Sequence, residues 1–341
     1  MAKATKQFSL ERISQSRGLL MGLATLWVVL SHSHNVDFAQ SHILSAIHLT
    51  AFFQNLQAYG SAGVDLFLLL SGYGLWYSYS KNPGIKAFYA RRFSRILPAL
   101  FIVTILYYGW QGTDGLGDYM AKNLHYALYH PTYSKGEFWY FSLIIVLYLA
   151  YPLLHRIIRR WGLLGAIGLS LVSIGGTFLF RQINFAYFDK MDVALTRLPI
   201  FFFGIWIGKK SKEGTGIPVW IPIACCIVFP ALLMLLPHIP LPGFFMLRYL
   251  FAPLVLSLAF AVCWLDSWIP SNLLKRFIVL IGVYSMEIYL TYETLNLHMG
   301  GVFKASDVVG ITYALACFVL SLLLAFALKK SSEIIVNGLK K

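Results

Sequence analysis

Apolar and polar positions along this chain segregate into long blocks rather than short alternations. A helix needs about 20 mostly apolar residues to cross a bilayer, and windows near that length recur from end to end. Read between polar breaks, they predict helices over 18–34, 62–80, 88–109, 138–158, 162–180, 194–208, 217–237, 245–265, 274–295 and 309–329. The windows 88–109 and 274–295 open with charged residues, and 194–208 is short. The expectation is an all-α, polytopic membrane bundle of about ten transmembrane helices. It forms one integral-membrane domain over 1–341, with short cytoplasmic tails at 1–16 and 331–341. No internal repeat, low-complexity segment or long linker interrupts the pattern.

Composition strengthens this picture. Of 341 residues, 58% are hydrophobic and 12% charged, with a mean hydropathy of +0.67; soluble domains carry about twice that charge. The first apolar window lacks a small-residue cleavage site and opens a series of others, so it is read as a span and not as a signal peptide. Lysine and arginine then orient the series. With the N-terminus in the cytoplasm, 21 of the 28 fall in inside segments and 7 in outside segments, alternating loop by loop. That bias predicts both termini inside, in a multi-pass protein of the inner or plasma (cell) membrane. It also accounts for most of the net charge of +14. The positive charge faces anionic lipid, and a nucleic-acid partner has little left to rest on. The layout is compatible with a homo-oligomer. Cys225, Cys226, Cys263 and Cys317 all lie within apolar windows without CxxC spacing, so they read as packing residues, with no metal site.

Ionisable residues within spans are costly and mark function. They sort into two layers. On the inner side, "KAFYARRFSRILP" (86–98) places Arg91 and Arg95 at i,i+4 and Arg92 and Arg95 at i,i+3, able to project to one side of a helix. Forked guanidiniums bind phosphate bidentately. On the outer side, His32 and His34 close the first window, Asp65 opens the second and Glu137 opens the fourth. Arg197 lies early in the sixth window, and Glu287, Tyr292 and Glu293 lie in the ninth. Asp65 reads either as a helix N-terminal cap or as the partner that orients a histidine. His32 reads either as an interfacial imidazole or as a proton-exchanging group. His34, His42 and His48 read as ordinary loop histidines. Ser71 and Gly72, and "SIGGTF" at 173–178, read as small residues that let helices approach closely. A phosphate-friendly cluster inside and an acid/base cluster outside suit an enzyme that uses a phosphorylated cytosolic donor on an extracytoplasmic acceptor. They suit equally a transporter or flippase of an anionic or glycan substrate.

Five segments carry a resemblance. "LMGLATLWVVLSH", "GVDLFLLLSGYGLWYSY", "FYARRFSRILPAL", "FWYFSLIIVLYLAYPLL" and "VYSMEIYLTYETL" resemble, in order, motifs of the acyltransferase-3 family of integral-membrane O-acyltransferases. The resemblance implies ten core helices, acetyl-CoA or another acyl-CoA as the donor, used from the cytoplasm, and acylation of a sugar or polysaccharide hydroxyl. It puts His32 on the family's helix-1 histidine, Arg92 and Arg95 on its RxxR pair, and Asp65, Ser71 and Gly72 on its helix-2 motif. His32 would then act as base or brief acyl carrier, with Asp65, Glu137 or Glu287 fixing its tautomer. Arg91, Arg92 and Arg95 would hold the nucleotide end of the donor. Two positions depart from the family: Met21 stands where an arginine is common, and Tyr292 where a histidine is common. Arg17 precedes His32 by fifteen residues, which puts it on nearly the same helix face as Met21, one turn nearer the cytoplasm. It is the candidate to replace the missing arginine.

Overall fold

The computed structural model describes residues 7–33, 45–81, 84–111, 139–241, 243–299 and 307–338. The helices are α1 (Arg17–His32), α2 (Thr50–Ala58), α3 (Ala62–Lys81), α4 (Ile85–Gln111), α5 (Trp139–Ile183) and α6 (Phe185–Leu195). They continue with α7 (Leu198–Lys212), α8 (Trp220–Leu235), α9 (Phe251–Asp266), α10 (Leu273–Val283), α11 (Ser285–Met299) and α12 (Asp307–Gly338). Each of the ten apolar windows falls on helix. By length and composition, five stretches among the described residues are apolar and long enough to cross a membrane: Trp139–Ile183, Met191–Lys212, Trp220–His238, Phe244–Asp266 and Leu315–Gly338.

Some boundaries differ from expectation for local reasons. The windows 138–158 and 162–180 both lie on α5, and the division expected between them falls at Gly162, which adopts φ 57° and ψ −127°, a conformation strained for any residue with a Cβ. The Lys209 ammonium donates to the carbonyls of Ile158 and Arg159 at 3.4 and 3.0 Å and so satisfies carbonyls freed at the break. The window 274–295 splits into α10 and α11 at Tyr284. Within the segment read as an N-terminal tail, Gln7–Ser9 forms β1, antiparallel to β2 (Gly216–Pro218). The turn Arg12–Gln15 follows, and Phe8, Leu10 and Ile13 are buried. α12 runs through the start of the C-terminal tail to Gly338.

The exterior is apolar: Val172 on α5 is 74% exposed and Ile227 on α8 is 72% exposed, with Leu164, Leu171 and Leu323 alongside. Water does not tolerate such a continuous belt, whereas lipid does. The chain is an integral membrane protein with an all-helical core. Polar groups turn inward or back on their own helix. Thr25, Ser170, Thr177 and Ser321 each donate to the carbonyl four residues earlier.

The centre is α3, buried on all sides through its first turns. It packs against α7 and α1, and α1 against α10. Glycines set these distances. A Cβ on Gly72 would collide with the Phe201 carbonyl, and one on Gly208 would come within 2.6 Å of the Tyr73 carbonyl. On the other flank, one on Gly63 would lie 2.7 Å from the Ala24 carbonyl, and Gly22 is pressed against Ile278. Backbones in contact at these points hold α1, α3, α7 and α10 as one block. The close-approach reading therefore holds for Gly72. It fails for Gly175 and Gly176, where a Cβ would meet nothing within 4 Å among the described residues. Cys263 and Cys317 are buried, and all four cysteines are free thiols.

Candidate active site

The first turn of α1, the middle of α3, the amphipathic start of α4, the start of α5 and the first turn of α11 enclose an open cavity of about 780 Å³. Three guanidiniums line it: Arg17, Arg92 and Arg95. Arg17 lies within electrostatic reach of the other two and rests against α3, where a Cβ on Gly74 would come 3.3 Å from its Nη2. Met21 lines the same wall as Arg17, as four-residue spacing on α1 requires. The Arg92 guanidinium lies 5.8 Å from the Tyr148 ring and 5.9 Å from the Phe88 ring. Its buried Nε finds no partner among the described residues. No carboxylate lines the cavity among the described residues. Three like charges gathered on one cavity raise its positive potential and favour an anionic guest. Arg91 is exposed and takes no part in this lining. It precedes Arg92 by one residue and so projects about 100° round the helix from it, outside the cavity.

His32, the last residue of α1, lies beside a second, smaller cavity of about 250 Å³ shared with Thr25, Val28, Val29, Phe67, Tyr289 and Tyr292. Its Nδ1 sits 2.8 Å from the Val28 carbonyl and 3.4 Å from the Ser31 hydroxyl. A carbonyl only accepts, so in the neutral ring Nδ1 carries the proton and Nε2 is the basic nitrogen. Nearby, the Ser33 and Tyr292 hydroxyls lie 3.2 Å apart, and Gln57 on α2 donates to the Ser33 carbonyl at 2.8 Å. Both contacts hold the end of α1 in place.

Of the carboxylates expected to orient His32, Asp65 and Glu287 lie elsewhere. Asp65 is 1% exposed and accepts from the Arg197 Nε at 2.9 Å. Arg197 is equally buried. It donates further to the carbonyls of Val193 and Ser61 and stacks its guanidinium 5.1 Å from the Trp139 ring. A second buried pair, Asp192 with Arg248 at 2.6 Å, lies within electrostatic reach. Asp65 therefore neutralises Arg197 instead of pairing with His32. Two charges buried this deeply satisfy each other first.

Glu287 is placed by the break at Tyr284. It lies in the first turn of α11, is 4% exposed, and interacts electrostatically with Lys329 and Arg95. Tyr289 lies 200° round the helix from it; with Tyr289 and Tyr292 turned to His32, Glu287 points away. It lines a third cavity with Arg95, Lys329 and Glu333, on the arginine side of the bundle. Glu137, His34 and His42 lie outside the described residues, as does the side chain of Glu293. The structure thus brings Arg17, Arg92 and Arg95 together and places His32 beside a different cavity, its Nδ1 facing the Val28 carbonyl. Sequence reading missed Tyr148, Tyr140, Phe67 and Tyr289 in the cavity walls. Aromatic residues are too common here, at 16% of the chain, for their positions to stand out.

The sequence profile of the acyltransferase-3 family, described as an acyltransferase domain, matches residues 19–330. The chain belongs to the acyltransferase-3 family. The match runs from the first turn of α1 to the last third of α12 and contains every residue that lines the two cavities except Arg17. Two curated relatives are similar over shorter stretches. Nodulation protein 10 of Rhizobium leguminosarum bv. viciae is 25% identical over 212 residues, covering 54% of this chain and 56% of the relative. "Putative acetyltransferase ORF330" of Acidianus two-tailed virus is 32% identical over 145 residues, covering 38% and 42%. The chain spans about half the length of the curated relatives it matches. No solved structure matches it.

Proposed function

We propose that this protein is a ten-span membrane O-acyltransferase with both termini in the cytoplasm. It moves an acyl group, in the simplest case acetyl, from cytoplasmic acyl-CoA to a hydroxyl of a sugar or exported glycan at the outer face of the cell membrane. The observation that carries this reading is the convergence of Arg17, Arg92 and Arg95 on a cavity lined by no carboxylate among the described residues, with His32 on the far side of a layer of aromatic rings. Family membership supports acyl transfer, and a relative named as an acetyltransferase supports acetyl. The excess of lysine and arginine on alternate loops supports the orientation.

The arginines take the phosphates of coenzyme A through charge-assisted, forked hydrogen bonds. The thioester arm runs inward along Tyr148 and Ile144. His32 Nε2 accepts the proton of the acceptor hydroxyl as its oxygen attacks the thioester carbonyl. The C–S bond breaks, and the departing thiolate takes the proton from the imidazolium, which restores the neutral ring. The Val28 carbonyl, facing Nδ1, holds the ring in orientation in the meantime.

The test uses the full chain in lipid nanodiscs with labelled acetyl-CoA, together with mass spectrometry of surface glycans from cells with and without the protein. A positioned base contributes about 10²–10⁴-fold. His32→Ala should lose that much transfer while binding coenzyme A normally. Arg95→Ala should weaken coenzyme A binding about tenfold or more, because each charge-assisted contact contributes roughly 1.5–3 kcal/mol. Arg95→Lys should recover part, since a point charge cannot fork. Full transfer by His32→Ala, or unchanged coenzyme A binding in both Arg95 variants, refutes the assignment. Uptake of an anionic solute into vesicles without thioester cleavage would establish a transporter instead.

A further inference from the structure

Two side chains belong to both cavities. Phe67 on α3 and Tyr289 on α11 line the arginine cavity and also the smaller cavity beside His32. Their rings are therefore the partition between the cationic chamber and the imidazole. The partition is braced. The Tyr140 ring lies 6.2 Å from Phe67 and 6.0 Å from Tyr289, and the Phe141 ring lies 5.8 Å from Tyr289. Phe67 is only 6% exposed. The chamber on the imidazole side, at about 250 Å³, is a third the size of the one on the arginine side, at about 780 Å³.

We propose that Phe67 and Tyr289 form an acyl-size filter that admits an acetyl group to His32 and disfavours longer acyl chains; this rests on the acyl-transfer reading above. A donor held by its phosphates at Arg92 and Arg95 must bring its thioester carbonyl to the imidazole side. The acyl group then sits in the ring layer itself. Acetyl adds one methyl beyond the carbonyl. Each further methylene has to displace a ring that its neighbours hold, and close-packed interiors resist such overpacking. The ring layer, not the cationic chamber, then decides which donors react, because the chamber handles the coenzyme portion common to all of them.

The parent protein is first offered acetyl-, propionyl- and butyryl-CoA in pairwise competition, with the acylated products counted by mass spectrometry. One methylene in an apolar pocket discriminates about 10–200-fold, so acetyl should lead propionyl by about tenfold or more and butyryl by more still. Phe67→Leu and Tyr289→Leu should each move the butyryl-to-acetyl ratio at least about tenfold towards one, with coenzyme A binding measured alongside. A parent that uses butyryl-CoA as readily as acetyl-CoA overturns the filter without the help of any variant. So does an unchanged ratio in the two leucine variants while they bind coenzyme A. In both outcomes transfer itself persists, and the proposed function stands. A parent that transfers no acyl group from any donor removes that function, and the filter with it.

Discussion

Replacing Asp65 separates two roles that the sequence left open. Its carboxylate lies 2.9 Å from the Arg197 Nε, with the two side chains 2% and 1% exposed. In Asp65→Ala the guanidinium stays buried, still tied to the Val193 and Ser61 carbonyls, but its charge is uncompensated. Removing one partner of a buried pair costs about 3–5 kcal/mol. That far exceeds the ~0.6 kcal/mol average for a neutral interhelical hydrogen bond in a membrane protein, and it is a large fraction of the 5–15 kcal/mol typical of a fold. Asp65→Asn keeps the shape and an acceptor oxygen, so its loss should be smaller but clear. Replacing both partners with apolar residues of similar volume, Asp65→Leu with Arg197→Met, should recover much of the loss, since a buried pair contributes little net stability. The assay is the fraction of protein that remains monodisperse in detergent after graded heating, read beside acyl transfer at low temperature. The structure requires thermal loss in the single variants and partial rescue in the double. An Asp65→Asn protein as heat-stable as the parent yet devoid of transfer would refute this account and return Asp65 to the chemistry of His32.

Two further outcomes follow from packing and charge. Gly72→Ala forces a Cβ into the Phe201 carbonyl and should destabilise by about 1–3 kcal/mol, whereas Gly175→Ala, with open space around it, should be neutral or gain up to about 1 kcal/mol of helix propensity; equal heat stability of the two variants would refute the close α3–α7 contact. For topology, cysteines introduced at Glu213, which is exposed after α7, and at Thr113 should react with impermeant thiol reagents from opposite sides of the membrane, and labelling from one side would break the orientation used for the donor.

Much of the fold is legible along the chain because lipid makes each span answer to its own composition. A helix in hydrocarbon must satisfy its own backbone and present apolar side chains outward, so windows of hydropathy fall on helices with errors of a few residues. The errors have local causes. The division at Gly162 was marked by Arg156, Arg159 and Arg160, whereas Tyr284 splits an apolar run that reads as continuous. The arginine cluster was legible for the same reason: i,i+3 spacing fixes a face, and fifteen residues bring Arg17 onto the wall of Met21. Arg91 was not separable from its neighbours, because i,i+4 spacing puts it within about 40° of Arg95, and spacing does not say on which side of that face the cavity lies.

The partners of the buried charges were beyond the sequence. Asp65 and His32 read as one cluster because both lie near helix ends on the same side, but depth is not contact. Asp65 is drawn to Arg197 across 132 residues, since a buried carboxylate is stabilised most by the nearest buried cation. Glu287 was assigned to His32 by its place in an unbroken window, and a break at Tyr284 turned it towards Lys329. By itself, the sequence determined the helical class, the order of the helices and the arginine face, because these depend on periods of about 3.6 residues and on the thickness of a bilayer. Only the tertiary structure decided which carboxylate meets which cation, and which two rings stand between the arginines and the histidine. Those pairings are set by how backbones approach at Gly22, Gly63 and Gly72, a relation between distant segments that no local pattern encodes.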